Sequence, residues 1–299
     1  MERRLLLPVV KTRNKETYID NSCDVSAIVI RIRDFLFKDG SLNCALIKEI
    51  QDAGGLHQYY NFKGPIIFSS IMRDEILDSC VVETYIFLIN QLKPEYYLTP
   101  DSYTYRGYKI DSRSKIEKIL EMTKIILKEC PASEPIGLIK GCNLSQIDLH
   151  LDKLIELKIK RFCFHAGDFI YKESEYSKSQ AIFFAKSMKE KRIYLIIYGV
   201  GSNTYFRKFH FADAFVTNSH FMQAANHRRI PGSKWITFKG KPNQETIMEN
   251  LRYLLRLVNP PKDLSLLSTW LSTEVIENID SLSIGYYPVI NREIKIKEV

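Results

Sequence analysis

The stretch PIGLIKGCNLSQIDLHLDKLIELKIKRFCFHAG, Pro135 to Gly167, decides the fold. It opens on a short apolar run (Pro135 to Gly141) and passes through a segment whose apolar residues Ile147, Leu151, Leu154 and Ile155 recur at helical spacing. It closes on a second apolar run, Arg161 to Gly167. Runs that are continuously apolar, rather than alternating, read as strands buried on both faces, the pattern of parallel sheets. Ser145 followed three residues later by Asp148 resembles a helix N-cap with its reciprocal acid, and Lys158 and Lys160 suit the dipole at the other end. The stretch therefore predicts strand, crossover helix, parallel strand.

The same unit recurs on either side. Further apolar runs span Leu5 to Val10, Ala27 to Ile32, Pro65 to Ser70, Tyr96 to Asp101, Ile193 to Gly201 and Asp213 to Asn218, making eight in all. Helical stripes lie between or after them, at Ile116, Ile119, Leu120, Ile126 and Leu127, and at Ile247, Leu251, Leu254, Leu255 and Val258. Eight strands alternating with helices favour an α/β fold of the (β/α)8 TIM-barrel type over an open doubly wound sheet, although Pro8 in a short first strand is a mark for the open sheet. No Pro/Gly/Ser-rich linker, repeat or low-complexity tract divides the chain. We expect a barrel over residues 1–259 and a short C-terminal extension over 260–299 that packs on or caps it.

The 299 residues are 45% hydrophobic and 26% charged, enough to bury a sizeable core and unlike a disordered or fibrous chain. Forty-three Lys and Arg against 35 Asp and Glu give +8, which suits a polyanionic partner or a merely basic surface. The six cysteines are scattered without a CxxC pair, which argues against a zinc knuckle and for reduced thiols in a cytoplasmic protein. The opening MERRLLLPVV lacks a cleavage pattern, and no apolar stretch approaches the roughly 18 residues of a membrane span. Neither a signal peptide nor membrane association is expected, and no cofactor or metal.

Barrel enzymes assemble their sites at the C-terminal ends of the strands. Those ends carry Ser69 and Ser70, then Asp101, Lys140 and Gly141, His165 and Asp168, Gly199 and Gly201, and Thr217 to His220. Asp101 follows Pro100 and is either a site carboxylate or a turn residue, His165 either a ligand group or a core histidine, and Asp168 either an acid or a helix cap. The serines lack a nucleophile elbow and read as hydrogen-bonding groups. GVGS reads as a tight turn that either approaches a ligand or packs closely. After the eighth run, His220, His227, Arg228, Arg229, Lys234, Lys239 and Lys241 are interleaved with Phe221, Trp235 and Phe238. This is charge for phosphates with stacking surface for bases, or else a solvated basic loop.

The strand ends together resemble the tRNA-guanine transglycosylase family, which includes relatives that insert 7-deazaguanines into DNA. GGLHQYYNFKGPIIFSSIM (Gly54 to Met72) resembles that family's GGLH, aromatic segment, GPI and Asp-Ser-Gly-Gly; PEYYLTPDSYTY, PIGLIKG, IYLIIYGVGS and ADAFVTNSHF follow in matching order. The likeness covers most of residues 20 to 258. GGLH with GPI is its more specific part, and the collinear set carries the rest.

The resemblance implies a barrel that exchanges a guanine of tRNA or DNA for a 7-deazaguanine, one carboxylate attacking the sugar C1′ and a second moving protons. The corresponding positions here are Ser69 and Val216, and Lys140 stands where the family has a base-binding Gln. The family's zinc cluster, CxCxxC with a later His, has no counterpart. Three readings follow. One is a transglycosylase-like protein that binds tRNA or DNA and a guanine-like base without the covalent chemistry, as a noncatalytic partner of an active paralogue or of a second copy. Another is an active exchange enzyme with its carboxylates relocated to Asp168 and Asp101. The last is an unrelated metal-independent barrel enzyme acting on a small anionic substrate with Lys140 and His165.

Overall fold

The computed structural model describes residues 4–12, 19, 23–72, 74–77, 82–104, 109–170, 175–226, 228–229, 236–237, 239 and 243–259. Eight parallel strands are hydrogen-bonded in chain order: β1 (Leu5–Val10), β2 (Ile28–Arg31), β3 (Ile66–Ser69), β4 (Tyr96–Leu98), β5 (Glu134–Ile139), β6 (Arg161–His165), β7 (Tyr194–Tyr198) and β8 (Ala214–Thr217). β1 also pairs with β8, Leu7 opposite Val216, so the sheet closes into a barrel. Each strand lies within the run read from sequence, except that β5 begins one residue earlier at Glu134, and the closed eight-stranded barrel is the (β/α)8 expectation. Pro8 causes no break, since it occupies one position in a six-residue strand whose neighbours continue both ladders.

The helices follow in order. After β2 come a 3-10 turn (Ile32–Phe35), α1 (Cys44–Asp52) and α2 (Leu56–Tyr60); after β3, α3 (Asp74–Leu77) and α4 (Val82–Leu92). α5 (Lys109–Glu129) follows β4, and α6 (Leu144–Glu156) follows β5. α7 (Gly167–Ile170) and α8 (Glu175–Glu190) follow β6, α9 (Asn203–Lys208) follows β7, and α10 (Ser219–Ala225) and α11 (Gln244–Val258) follow β8. Among the described residues no helix joins β1 to β2. A short antiparallel pair, β9 (Arg228–Arg229) and β10 (Ile236–Thr237), lies between α10 and α11. No described helix is long and apolar enough to cross a membrane.

Side chains alternate between two buried layers because both faces of every strand are covered. Leu7, Val9, Val29, Ile67, Leu98, Leu138, Cys163, Ile196 and Val216 fill the barrel interior. Their neighbours Leu6, Ile28, Ile30, Phe68, Phe162, Phe164, Leu195 and Phe215 face outward onto helical residues such as Leu151, Leu154 and Leu251. The cap of α6 differs from expectation. Asn143, not Ser145, accepts the Gln146 N–H at 3.0 Å, while Asp148 lies 3.7 Å from Lys191 Nζ on the helix flank. Lys158, at φ 63, turns the chain out of the helix, and Ile155 is exposed rather than part of the buried stripe.

The ends of the barrel are tied together. Arg4 N donates to Asn259 Oδ1 at 3.0 Å, Asn259 Nδ2 donates to the Arg4 carbonyl at 2.7 Å, and the Arg4 guanidinium donates to the Val258 carbonyl. The expected extension over 260–299 lies outside the described residues.

GGLH lies at the opposite end of the barrel from the strand C-termini. Gly54 and Gly55 adopt φ 93 and φ 106, so the chain turns tightly into α2. His57 then points both ring nitrogens at acceptors, Nδ1 at the Phe62 carbonyl (2.9 Å) and Nε2 at Glu95 Oε1 (2.8 Å). Glu95 Oε2 accepts the Ile66 N–H at 2.8 Å, so the motif fixes the starts of β3 and β4.

Candidate functional site at the barrel mouth

At the C-terminal end of β5, Lys140 reaches across to Asp101, which follows β4. Its Nζ lies 2.9 Å from Asp101 Oδ1, with the two side chains 6% and 4% exposed. Ionic groups removed from water to this degree are held by each other. Beneath them Cys163 is fully enclosed, and burial pushes its thiol up, with the Asp101 charge acting in the same direction and Lys140 against it. Cys163 is thus a neutral barrel-filling residue. Behind Lys140 stands His150 on α6, whose Nδ1 accepts the Lys140 backbone N–H at 3.0 Å. Burial lowers its pKa to about 4, keeping the ring neutral beside the lysine.

The strand register sets out the remaining wall. Ile139 is opposite Phe164, and Lys140 and His165 are the next residues along these two neighbouring chains. His165 is opposite Tyr198, and Tyr198 is opposite Val216. His165 and Tyr198 meet edge to face, with ring centroids 5.3 Å apart. Val216 is buried in the interior apolar cluster, so its side chain is part of the core. On the other side Arg31 is opposite Ser69.

The two serines are locked into the sheet. Ser69 is fully buried and its Oγ accepts the Ile71 N–H at 3.3 Å; Ser70 Oγ donates to the Thr99 carbonyl at 2.7 Å. Neither presents an exposed hydroxyl. The glycines resolve toward packing. Gly199 has φ 85, and a β-carbon there would lie 3.1 Å from Gly167 Cα and 3.2 Å from His165 Cδ2. A β-carbon on Gly201 would lie 1.6 Å from Ser219 Oγ, and one on Gly141 2.8 Å from Ile147 N. Protein, not open space for a ligand, occupies the ground in front of all three.

The nucleic-acid candidates divide. His220 is a correction: it is fully buried on α10, and its backbone carbonyl accepts from Asn250 Nδ2 on α11 at 3.2 Å. Burial takes its pKa down to about 3, so it supplies neither charge nor surface to a polyanion. Lys239 is exposed. Arg228 and Arg229 lie on β9, and of their side chains, as of Asp168, nothing is described. His227, Lys234 and Lys241 lie outside the described residues.

Two cations that the sequence reading passed over stand at the first two strand ends. Lys11 follows β1 and packs its Nζ 3.6 Å from the centre of the Phe221 ring. Arg31 ends β2 and places Nη2 2.9 Å from Asp34 Oδ1, while Arg33 Nε is 3.8 Å from the same oxygen. Alternation would have revealed both. Leu7, Val9 and Lys11 share one face, as do Ala27, Val29 and Arg31, and the apolar members of each set line the interior.

Among the described residues no three His, Cys, Asp or Glu side chains group as a metal site requires, and the segment after β8 has no cysteine to rebuild the family's zinc cluster. The donor set does not fit that metal. A scan against protein-family models finds no match to the chain, and a search of the curated proteins finds none either.

Proposed function

We propose that the protein binds tRNA or DNA and holds a guanine-like base at the barrel mouth without exchanging it, as a noncatalytic relative of the transglycosylases it resembles. The observation that carries this reading is the Asp101–Lys140 pair, with its oxygen and nitrogen 2.9 Å apart. A guanine edge offers N1–H and N2–H donors beside the O6 acceptor. A carboxylate accepts the first two and an ammonium donates to the third, so the pair is complementary to that edge in both charge and order. Base exchange needs more than recognition. It calls for a carboxylate at C1′ and a second proton carrier, and the residues at those positions are a buried serine and a valine. Lys11, Arg31, Arg33 and Lys140 against Asp34 and Asp101 also make the described mouth net positive, as a polyanion requires.

The test is a labelled-guanine exchange assay on bulk tRNA and duplex DNA, run beside a filter-binding titration at two salt concentrations. Salt-sensitive binding without exchange is expected. Exchange by the protein alone overturns the noncatalytic reading, and absence of binding overturns the nucleic-acid one. The adjacency of Lys140 and His165 favours a second reading, an acid/base enzyme on a small anionic substrate. It predicts no nucleic-acid affinity at moderate salt.

A further inference from the structure

The β1/β2 end of the mouth concentrates positive charge where packing does not demand it. Lys11 lies against Phe221, and its pKa is taken down to about 8 by burial first and by the Arg31 charge next; Asp34 opposes this and the Arg33 charge adds to it. An apolar side chain would cover the Phe221 ring without that electrostatic cost. Arg31 is bound to Asp34 through one nitrogen only, Nη2, at 2.9 Å and 3.2 Å from the two carboxylate oxygens. Its Nε is buried and makes no hydrogen bond among the described residues. A guanidinium satisfied along one corner, with a buried donor left over beside an ammonium, matches an oxyanion that accepts from both. Thr12 reinforces the arrangement by directing its N–H and hydroxyl to Asp34 Oδ2, both at 3.4 Å, which holds the carboxylate on its Arg31 side.

We propose that Lys11 and Arg31 form a phosphate subsite, taking a phosphate of the nucleotide whose base the mouth holds. The proposal rests on the base-site reading for the identity of the ligand, not for the anion chemistry. Arg31 is the register partner of Ser69, so the subsite adjoins the barrel wall at one of the lost carboxylate positions. Phe221 joins it to the start of the basic segment that follows β8.

The experiment compares guanosine, GMP, a guanosine-centred RNA trinucleotide without terminal phosphates, and inorganic phosphate, titrated by calorimetry into the full chain. Proteins tested are the wild type, Lys11→Met, Lys11→Arg, Arg31→Gln and, as a control on the outer face of α5, Lys124→Met, each checked for folding by circular dichroism. We expect a phosphate-bearing probe to bind at least tenfold tighter than guanosine. That advantage is lost in Lys11→Met and Arg31→Gln and retained in Lys11→Arg and Lys124→Met, with guanosine affinity unchanged throughout. An advantage for GMP identifies a monoester as the ligand, and one confined to the trinucleotide identifies a backbone diester. If guanosine fails to bind while GMP or phosphate binds in a Lys11-dependent way, the subsite stands and the base reading falls. Phosphate-bearing probes that bind no tighter than guanosine, bind the two charge-removing variants as tightly as the wild type, or fail to bind at all overturn the subsite.

Discussion

Asp101 and Lys140 meet across the β4/β5 side of the mouth, Oδ1 to Nζ at 2.9 Å, with almost none of either side chain left in water. A pair of this kind is defined by the asymmetry of its removal. Taking away one member strands the other charge in the interior, which costs about 3–5 kcal/mol, whereas replacing both with apolar groups of similar volume is close to neutral. Asp101→Asn and Lys140→Met should each lower unfolding stability on that scale in urea titrations, and Asp101→Leu/Lys140→Met should recover most of it. The double variant should still bind no base. Retained guanosine affinity in that folded variant would show that the pair is structural and nothing more.

The end of the barrel that carries GGLH behaves differently. Acceptors face both ring nitrogens of His57, an arrangement that favours the protonated ring. Burial opposes the charge, but the hydrogen bonds to Glu95 and the Phe62 carbonyl, with the Glu95 charge, outweigh it and raise the pKa. Because the folded pKa lies above the unfolded one, the stabilisation is complete below about 6.5 and disappears as pH rises through the folded value. Glu95→Gln should return the His57 titration toward its ordinary midpoint by NMR, with a stability loss of about 1 kcal/mol or less for a pair so open to solvent. Ligand binding at the far end of the barrel should not change.

The barrel was legible because its strands are continuous apolar runs, which located β1 to β8, and because α5, α6 and α11 hold apolar stripes at helical spacing, whereas α4 and α8 were not read from such a stripe. The candidate site was legible at Asp101, Lys140 and His165 for the same reason: each ends such a run. Lys11 and Arg31 escaped because a single cation closing an apolar run also reads as a solvated residue, and only the pairing of β1 with β2 brings the two together. His150 escaped because a histidine inside a stripe of Ile147, Leu151 and Leu154 reads as core, and only the tertiary fold shows that it holds the Lys140 backbone. His220 misled in the opposite direction. Its basic neighbours suggested surface, yet it shares a helical face with Ala224, four residues on, and both are fully buried.

Gly201 shows how the GVGS turn is used. It brings the β7 end against Ser219, the first residue of α10, so closely that a β-carbon at Gly201 would sit 1.6 Å from Ser219 Oγ. Gly201→Ala should therefore push α10 outward and destabilise by about 1–3 kcal/mol, the usual cost of overpacking a tight contact. Ser219→Gly in the same chain removes the obstruction and should restore much of the loss. If Gly201→Ala proves neutral in thermal unfolding, the α10 start is more yielding than the packing implies.

Two buried histidines set the acid limit of the fold. His150 and His220 have their pKa values lowered from 6.5 to about 4 and about 3, in both cases by burial first. Between those values and 6.5 the unfolded chain binds protons that the folded chain refuses, so stability is fully present above about 6.5 and falls as pH drops. Each ring contributes a slope approaching about 1.4 kcal/mol per pH unit within its window. Among the described residues His220 has no hydrogen bond at either ring nitrogen, so an apolar replacement removes a proton site without orphaning a partner there. His220→Leu should therefore flatten the stability profile between about pH 4 and 6, measured by urea unfolding at fixed pH steps, by about that slope. His150→Leu should flatten it too, but at the cost of leaving the Lys140 N–H without its acceptor. It should consequently be less stable than wild type at about pH 7, while His220→Leu should not. An unchanged profile in His220→Leu would mean that this ring reaches water before the barrel opens.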